Sequence, residues 1–324
     1  MIEKRTFDFD TAELLGVFES GSEEWKNIRK LGLGGSDAGV AIRCNKYSSW
    51  GKLFLEKTNK IPGFQGNAAT DFGQKMEPVI REQVEKLIAF HEGNNVKVYE
   101  VAGTYKSKLK PFMVANIDGL IDHPDHGFVG LEIKTANSNQ IPYWANNSVP
   151  PSYMAQIQHY MYVLGLNHFY VFFLLDGNID FRFVDRDEQM IESIIKNEEI
   201  LWEHISTDTP PPANDFDAES IGLFYKDAGK DYVKADKSFD EKIGEWLSIK
   251  KEIKNLEERK DKIEEEFKQA ISSNAGLKTE KYIINWGSFK RSGFDGKKFE
   301  ADYPELYKEY LKETSYRKLD SKIV

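Results

Sequence analysis

Hydrophobic residues recur at helical spacing along several stretches of the chain. An apolar residue at every third or fourth position places one continuous stripe on a helix face. This pattern predicts helices over residues 22–42 (interrupted by a glycine-rich turn), 49–58, 71–91, 150–164 and 187–204. Because proline lacks an amide hydrogen, Pro78 is compatible with the third of these helices only in its first turn.

Shorter runs rich in β-branched and aromatic residues predict strands at 96–102, 111–118, 128–134, 168–175 and 178–184. Turn residues at 123–127 and at Asp176–Gly177 predict that two pairs of these strands form hairpins. Helices and strands in this mixed order predict an α/β or α+β core. Three consecutive prolines at 210–212 end the pattern, so we expect the core to comprise residues 1–215.

A different pattern follows the prolines. From Trp246 to Ala270, residues spaced alternately by three and four form an apolar heptad seam that is interrupted by Lys260. Residues 281–290 predict a short β element, and the end of the chain predicts a small helix. We therefore expect residues 216–324 to form an appendage with one long helix. Its apolar stripe must pack on the same chain, a neighbouring subunit or a partner.

The composition is that of a globular protein, with 324 residues, 40% of them hydrophobic and 30% charged, and a net charge of −9. That charge argues against a protein that coats nucleic acid, but it is compatible with an enzyme that has a local basic track and metal ions. The sequence lacks the ~20-residue apolar run of a membrane span, so no membrane association is expected. The single cysteine, Cys44, excludes an intramolecular disulfide and is consistent with a cytoplasmic protein.

Candidate chemistry lies in the predicted hairpin at residues 111–134. Thirteen residues separate Asp118 from Glu132, so the hairpin turn can bring the two carboxylates together. Glu132 and Lys134 are two positions apart and share one face of a strand, while the carbonyl of Ile133 remains available as an oxygen ligand. Carboxylates and carbonyls suit Mg²⁺, and a lysine can orient or deprotonate an attacking water. Alternatively, Glu132 and Lys134 are ordinary surface residues of a strand, and Asp118 belongs to a turn.

Two further features can be read from the residues. Glu77 places another acid on the predicted helix that precedes these strands. Arg29 precedes a glycine turn that ends at Ser36 and opens a helix, and exposed amides beside an arginine form an anion site. A simple helix cap explains the Ser36 turn equally well.

Five motifs occur in the order found in one nuclease family. They are Trp25…Arg29…Gly34-Gly-Ser-Asp-Ala38, Gly73…Glu77-Pro78, Ala115-Asn-Ile-Asp118-Gly119, Leu131-Glu-Ile-Lys-Thr135 and Tyr153-Met-Ala-Gln-Ile-Gln158. Residues 20–215 thereby resemble the YqaJ-type viral recombinase nucleases, which are relatives of phage lambda exonuclease in the PD-(D/E)XK nuclease superfamily. Asn116 and Ile117 stand where the superfamily pattern places a proline before the aspartate.

The resemblance implies a restriction-endonuclease-like fold, in which helices flank a mixed β-sheet, and a role for each matching residue. Asp118, Glu132 and the Ile133 carbonyl become metal ligands, and Lys134 the catalytic lysine. Glu77 becomes a ligand or support for a second metal. Tyr153 and Gln156 would contact the water or the scissile phosphate, and Arg29 and Ser36 a DNA 5′-phosphate.

The resemblance also implies a cofactor, a substrate and partners. The cofactor would be Mg²⁺, with Mn²⁺ as a substitute, and the activity would be 5′→3′ degradation of double-stranded DNA. The protein would act in the cytoplasm of a bacterial host or be encoded by a prophage. A RecT-like annealing protein would bind the remaining 3′ single strand, and the enzyme would be a homo-oligomer such as a trimeric ring. Two alternatives remain: a structure-specific or nicking endonuclease, and a non-catalytic DNA- or partner-binding module.

Overall fold

The structure is a computed structural model that describes residues 2–18, 22–227, 229, 232–290, 292–312 and 318–320. The chain divides into two compact units, Met1–Lys226 and Asp227–Val324. None of the helices in the described ranges is long and apolar enough to cross a membrane.

The first unit contains the mixed α/β core that the sequence predicts. Its strands are β1 (Glu3–Arg5), β2 (Ala12–Gly16), β3 (Leu33–Gly34), β4 (Lys97–Val101), β5 (Thr104–Ser107), β6 (Met113–Ala115), β7 (Gly119–His123), β8 (Gly127–Ala136), β9 (His168–Leu175) and β10 (Asn178–Asp185). Its α-helices are α1 (Glu23–Lys30), α2 (Gly35–Ala41), α3 (Trp50–Lys57), α4 (Ala68–Glu92), α5 (Ile141–Trp144), α6 (Pro151–Leu164), α7 (Glu188–Ser206) and α8 (Ala218–Phe224).

Six strands form the main sheet in the order β1-β4-β7-β8-β9-β10. The pairs β1–β4 and β8–β9 are parallel, and the other three pairs are antiparallel. A second sheet has the order β2-β5-β6-β3. The expected mixed sheet flanked by helices is therefore confirmed.

The main sheet lies between helices α4 and α6. On one face, Ile80, Val84 and Ile88 of α4 pack with Leu131 and Ile133 of β8. On the other face, residues of α6 pack with alternate residues of β9, and these side chains are Ala155, Ile157, Met161, Phe169, Val171 and Phe173. Because strand side chains alternate between faces, Glu132 and Lys134 are directed away from α4 and toward α6.

Helix α4 begins earlier than its periodicity suggests. The Asn67 side chain accepts hydrogen bonds from the amides of Ala69 and Thr70, and the Thr70 hydroxyl accepts one from the Asn67 amide. This capping box starts the helix at Ala68, so Pro78 lies in the helix interior, and the prediction that it occupies the first turn is wrong.

The first compact unit continues past residue 215, where we expected the core to end. Phe216 is 9% exposed and packs with buried residues of α3 that include Trp50 and Phe54. Ser220 of α8 is fully buried. A side chain added at Gly51 of α3 would lie 2.3 Å from the Phe216 ring, which shows how closely the two segments approach. Residues 216–226 therefore belong to the packing of the first unit.

The second unit contains the long helix and small β element expected from the sequence. These are α9 (Ser238–Ile271), the antiparallel pair β11 (Gly276–Lys278) and β12 (Ile283–Asn285), and the short helices α10 (Gly296–Asp302) and α11 (Pro304–Tyr310). Along the heptad seam of α9, Ile249, Ile253 and Leu256 are 47%, 50% and 56% exposed.

Candidate active site

Asp118 is held at the point where the β7–β8 hairpin stops pairing. The strand register ends at Gly119 and Leu131, and beyond it Asp118 Oδ2 accepts a 2.7 Å hydrogen bond from the Ile133 amide. The N–H and C=O of one strand residue point to the same edge of a strand. The Ile133 carbonyl therefore faces the edge at which the Asp118 carboxylate lies.

Glu132 is only 3% exposed, and its two carboxylate oxygens have different surroundings. Oε1 accepts hydrogen bonds from Lys134 Nζ at 2.6 Å and from Gln156 Nε2 at 2.7 Å. Oε2 is buried without a hydrogen-bond partner among the residues that the structure describes. A buried carboxylate oxygen without a partner is unfavourable, and coordination to a cation would satisfy it.

The carboxylates of this cluster disfavour one another's ionisation. Burial and then the charge of Asp118 raise the pKa of Glu132 to about 8. Burial and then the charge of Asp118 raise the pKa of Glu77 to about 7. Burial likewise raises the pKa of Asp118. A divalent cation between these groups would favour their charged forms, so the residues fit a metal electrostatically.

The donor set is suited to a hard cation. Among the described residues, no three His, Cys, Asp or Glu side chains are arranged around one metal position. A metal here would therefore be held by Asp118, Glu132 and the Ile133 carbonyl, with water and substrate completing its coordination. Two carboxylates supplemented by water and phosphate are the usual ligands of Mg²⁺.

Glu77 points into the cluster but is paired with an arginine. Arg81, one turn later on α4 and 5% exposed, forms ion pairs with Glu77 and, at 2.8 Å, with Glu100. The role of Arg81 was missed in the sequence, although its four-residue separation from Glu77 is the usual spacing of a helical ion pair. The ion pair with Arg81 competes with metal coordination for the Glu77 carboxylate.

Helix α6 lines the opposite side of the cluster. Gln156 donates to Glu132 and also lies 3.1 Å from the hydroxyl of Tyr160, a buried residue that the sequence did not single out. The Lys134 ammonium lies 4.9 Å from the centre of the Tyr153 ring. Burial opposes the charge on Lys134, but the carboxylates of Glu132 and Asp118 outweigh it and raise the pKa of Lys134.

Arg29 and Ser36 form a contact pair beside this cluster. Arg29 Nη2 donates a 2.9 Å hydrogen bond to Ser36 Oγ, and the guanidinium stacks 4.5 Å from the Trp25 ring centre. Between them, the backbone at Gly35 packs against α6, since a Cβ there would lie 2.5 Å from the Tyr160 ring. The same Cβ would lie 3.0 Å from Gln156 Cγ, so the turn that carries Ser36 packs against both Tyr160 and Gln156.

The structure therefore groups the predicted site residues into one central cluster and two neighbours. The central cluster comprises Asp118, Glu132, Ile133, Lys134, Tyr153 and Gln156. Glu77 lies at its edge, paired with Arg81, and the Arg29–Ser36 pair lies beside it, where the backbone at Gly35 packs against Tyr160 and Gln156.

Residues 24–167 match the family model of the YqaJ-like viral recombinase domain. This range contains every residue of the central cluster and both neighbours. Residues 24–167 are thus similar to the YqaJ-like viral recombinase domains. The chain is also 27% identical over 320 residues to the uncharacterized protein YqaJ of Bacillus subtilis (strain 168), covering 94% of this chain and 96% of that protein. The resemblance found in the sequence motifs is confirmed.

Solved structures that resemble the chain include two exonucleases. The alkaline exonuclease LHK-Exo from Laribacter hongkongensis is 21% identical, with a TM-score of 0.48, over 58% of this chain and 94% of that one. A phage-related exonuclease from Haemophilus somnus 129PT is 16% identical, with a TM-score of 0.38, over 56% and 97% of the respective chains. The similarity to the YqaJ-like viral recombinases rests on the sequence match.

Proposed function

We propose that this protein is a metal-dependent deoxyribonuclease and that its YqaJ-like domain hydrolyses phosphodiester bonds of DNA. One observation carries the proposal. The buried Glu132 carboxylate has one oxygen fixed by Lys134 and Gln156 and the other without a partner in the described chain, beside Asp118. This arrangement is unfavourable in an ordinary protein core but suits a site for a divalent cation.

We assign the metal to Asp118, Glu132 and the Ile133 carbonyl, with Mg²⁺ as the ion and Mn²⁺ as a substitute. Bound there, the ion would stabilise negative charge on the scissile phosphate and promote attack by water. Glu77 could join as a ligand of a second ion through Oε2, or through Oε1 after it leaves the ion pair with Arg81.

The protein side chains would position the reactants. Lys134 has a raised pKa and remains an ammonium at neutral pH, so it would donate to the phosphate or to the attacking water rather than remove a proton. Gln156 holds Glu132 in place, and Tyr153 lies beside Lys134, where its hydroxyl could contact the phosphate. Water attacks phosphorus in line with the departing 3′ oxygen, which gives a 5′-phosphate and a 3′-hydroxyl.

The Arg29–Ser36 pair supports a proposal for the direction in which the enzyme degrades a DNA strand. A guanidinium and a hydroxyl in direct contact can both donate to a terminal 5′-phosphate. Holding that phosphate next to the catalytic cluster would favour 5′→3′ degradation of one strand of a duplex. The remaining 3′ single strand would be the substrate of a RecT-like annealing protein, as expected for a viral recombinase. A closed homo-oligomer, such as a trimeric ring, would keep the enzyme on the DNA.

Product mapping on matched DNA substrates tests this proposal. Linear duplexes with 5′-phosphate or 5′-hydroxyl ends and a covalently closed circle of the same sequence are incubated with the protein and Mg²⁺. We expect the linear DNA to lose 5′-labelled mononucleotides and to retain a 3′-labelled strand, while the circle stays intact. Cutting of the closed circle would identify an endonuclease instead. DNA binding without cleavage in either Mg²⁺ or Mn²⁺ would identify a non-catalytic module.

A further inference from the structure

Lys57, the last residue of α3, holds the segment that carries Arg29 and Ser36. Its side chain is 9% exposed. Its ammonium nitrogen lies 2.8 Å from the Arg29 carbonyl oxygen, 2.7 Å from the Gly32 carbonyl oxygen and 2.8 Å from Asp37 Oδ2. A lysine ammonium has three N–H donors, so these three acceptors account for all of them.

The segment between Arg29 and Asp37 is also fixed from its other side. The Leu33 amide donates to the Phe112 carbonyl at 2.6 Å, and a Cβ added at Gly32 would lie 2.3 Å from that same oxygen. Asp37 Oδ2 accepts a 2.9 Å hydrogen bond from the Gly34 amide. The turn is thus held between the backbone of Phe112 and the ammonium of Lys57.

Asp37, the one carboxylate among the three acceptors of Lys57, is ionised. Burial raises the pKa of Asp37, but the ammonium of Lys57 and the guanidinium of Arg29 outweigh it, so the pKa lies below its usual value. Lys57 therefore sits in a buried ion pair and is not available to DNA. A buried ion pair adds little net stability compared with apolar residues, but it can select one conformation. Here the Lys57–Asp37 pair selects the observed conformation of the turn between Arg29 and Asp37.

We propose that Lys57 is a positioning residue that fixes the main chain of Arg29 and of the following turn in the geometry that receives a 5′-phosphate. This inference rests on the proposed 5′-phosphate site. Arg29 and Ser36 lie on opposite sides of a turn with glycines at 32, 34 and 35, which is intrinsically flexible. Ordering the turn before DNA binds lowers the entropic cost of engaging the phosphate with both side chains.

The test compares Lys57→Met with Lys52→Met. Met preserves the apolar stem of lysine but removes all three donors. Lys52 is a matched control, because it lies on the same helix and pairs with Glu219 on the surface at 3.1 Å. Initial rates on duplexes with 5′-phosphate and 5′-hydroxyl ends give kcat and KM for each. For K57M we expect KM on phosphorylated ends to rise about 10-fold, the equivalent of one lost charge-assisted hydrogen bond (about 1.4 kcal/mol). The ratio of kcat/KM on 5′-phosphate ends to kcat/KM on 5′-hydroxyl ends should fall toward 1 in K57M. In K52M this ratio should stay at the wild-type value.

A second variant protects the test against misfolding. K57M alone leaves the buried Asp37 carboxylate without its ammonium partner, whereas K57M together with Asp37→Asn removes both charges and keeps an acceptor for the Gly34 amide. Circular dichroism and the thermal midpoint establish that each variant is folded. Loss of the phosphate preference in the folded double variant is the expected result.

Two unfavourable outcomes are distinguishable. If wild type prefers phosphorylated ends and folded K57M and double variants keep that preference and the wild-type KM, Lys57 is not a positioning residue. If wild type cleaves both kinds of end at equal rates, the phosphate site itself is wrong, and the role of Lys57 with it.

Discussion

The Asp118 side chain takes the place of a strand partner for Ile133, accepting a 2.7 Å hydrogen bond from its amide where β7 no longer pairs with β8. One oxygen of Asp118 thus fixes the backbone whose carbonyl faces the proposed metal, and the other is left to coordinate it. The same residue therefore has a structural task and a chemical task.

These two tasks can be separated by substitution. Asp118→Ala leaves the Ile133 amide without its acceptor and should lower the free energy of unfolding by about 1–3 kcal/mol. Asp118→Asn can still accept that hydrogen bond and should cost less, but it loses the charge and should be as inactive as the alanine variant. Denaturant unfolding and a cleavage assay on both proteins check this. Equal stability of the two variants would contradict the structural task.

The raised carboxyl pKa values predict how stability depends on pH. Glu132 and Glu77 titrate near pH 4.5 when unfolded and at about 8 and 7 when folded. The folded protein holds these protons more tightly, so the stability they contribute is present below about pH 4.5 and is lost as pH rises to about 8. Thermal midpoints of the metal-free protein should therefore fall across this window by more than those of Glu132→Gln, which cannot ionise. Parallel curves for the two proteins would contradict this interpretation of the site.

Metal binding should reverse that loss. At pH 8, Glu132 and Glu77 are more fully ionised than at any lower pH in this window. Mg²⁺ should therefore raise the thermal midpoint of wild type, by ~2–4 °C for each kcal/mol of binding energy. Glu132→Gln should show a smaller rise. Calorimetry with Mg²⁺ and with EDTA measures both. An equal rise in the two proteins would place the metal elsewhere.

Much of the fold was predictable because its signals are local. Helix α6 and strands β8 to β10 follow their hydrophobic periods, and the two-residue separation of Glu132 and Lys134 gives their common face. By contrast, β3 consists of Leu33 and Gly34 only and exists because it pairs with β6 in the folded chain. The three acceptors of Lys57 lie about 20–28 residues before it, with no periodic signal that links them. Contacts of this kind depend on the tertiary fold.

The start of α4 illustrates a different failure. The residues Asn67 and Thr70 carry a capping signal, but the first turns of the helix lack an apolar stripe, and Pro78 suggested a later start. The local hydrogen bonds at Asn67 decide the boundary. The Arg81 ion pairs were predictable in part, because Glu77 is one turn away, whereas Glu100 reaches Arg81 from strand β4.

Arg29→Ala should remove the preference for phosphorylated ends more than it reduces cleavage as such. The substitution deletes the guanidinium that contacts Ser36, while the side chains of the central cluster are unchanged. Lys30→Ala is the control, since Lys30 bonds Asn59 on the surface. Rates on 5′-phosphate and 5′-hydroxyl duplexes should converge for R29A only. If R29A keeps the wild-type ratio, Arg29 does not receive the phosphate.

Truncation tests the role of the second compact unit. A protein ending at Lys226 keeps Phe216 and α8 and should fold, whereas one ending at Asp215 loses the Phe216 packing and should be less stable by about 3 kcal/mol or more. We expect the 1–226 protein to cleave short duplexes but to show weaker DNA binding, processivity or partner binding. Unchanged salt dependence, processivity and partner binding would show that the second unit has none of these roles. Failure of the 1–226 protein to fold would show that the first unit needs residues 227–324 in order to fold.

The central claim is that Asp118, Glu132 and Lys134 form a metal-dependent nuclease site. The most direct measurement is the rate of nucleotide release from a linear 5′-phosphorylated duplex by wild type, D118N, E132Q and Lys134→Met, each with Mg²⁺ and with EDTA. We predict cleavage by wild type in Mg²⁺ only, and losses of at least about 10²-fold in each variant. D118N and E132Q each remove a charged metal ligand, and Lys134→Met removes the ammonium beside the scissile phosphate. Near-wild-type release by D118N or E132Q in Mg²⁺, or undiminished release by wild type in EDTA, would contradict it.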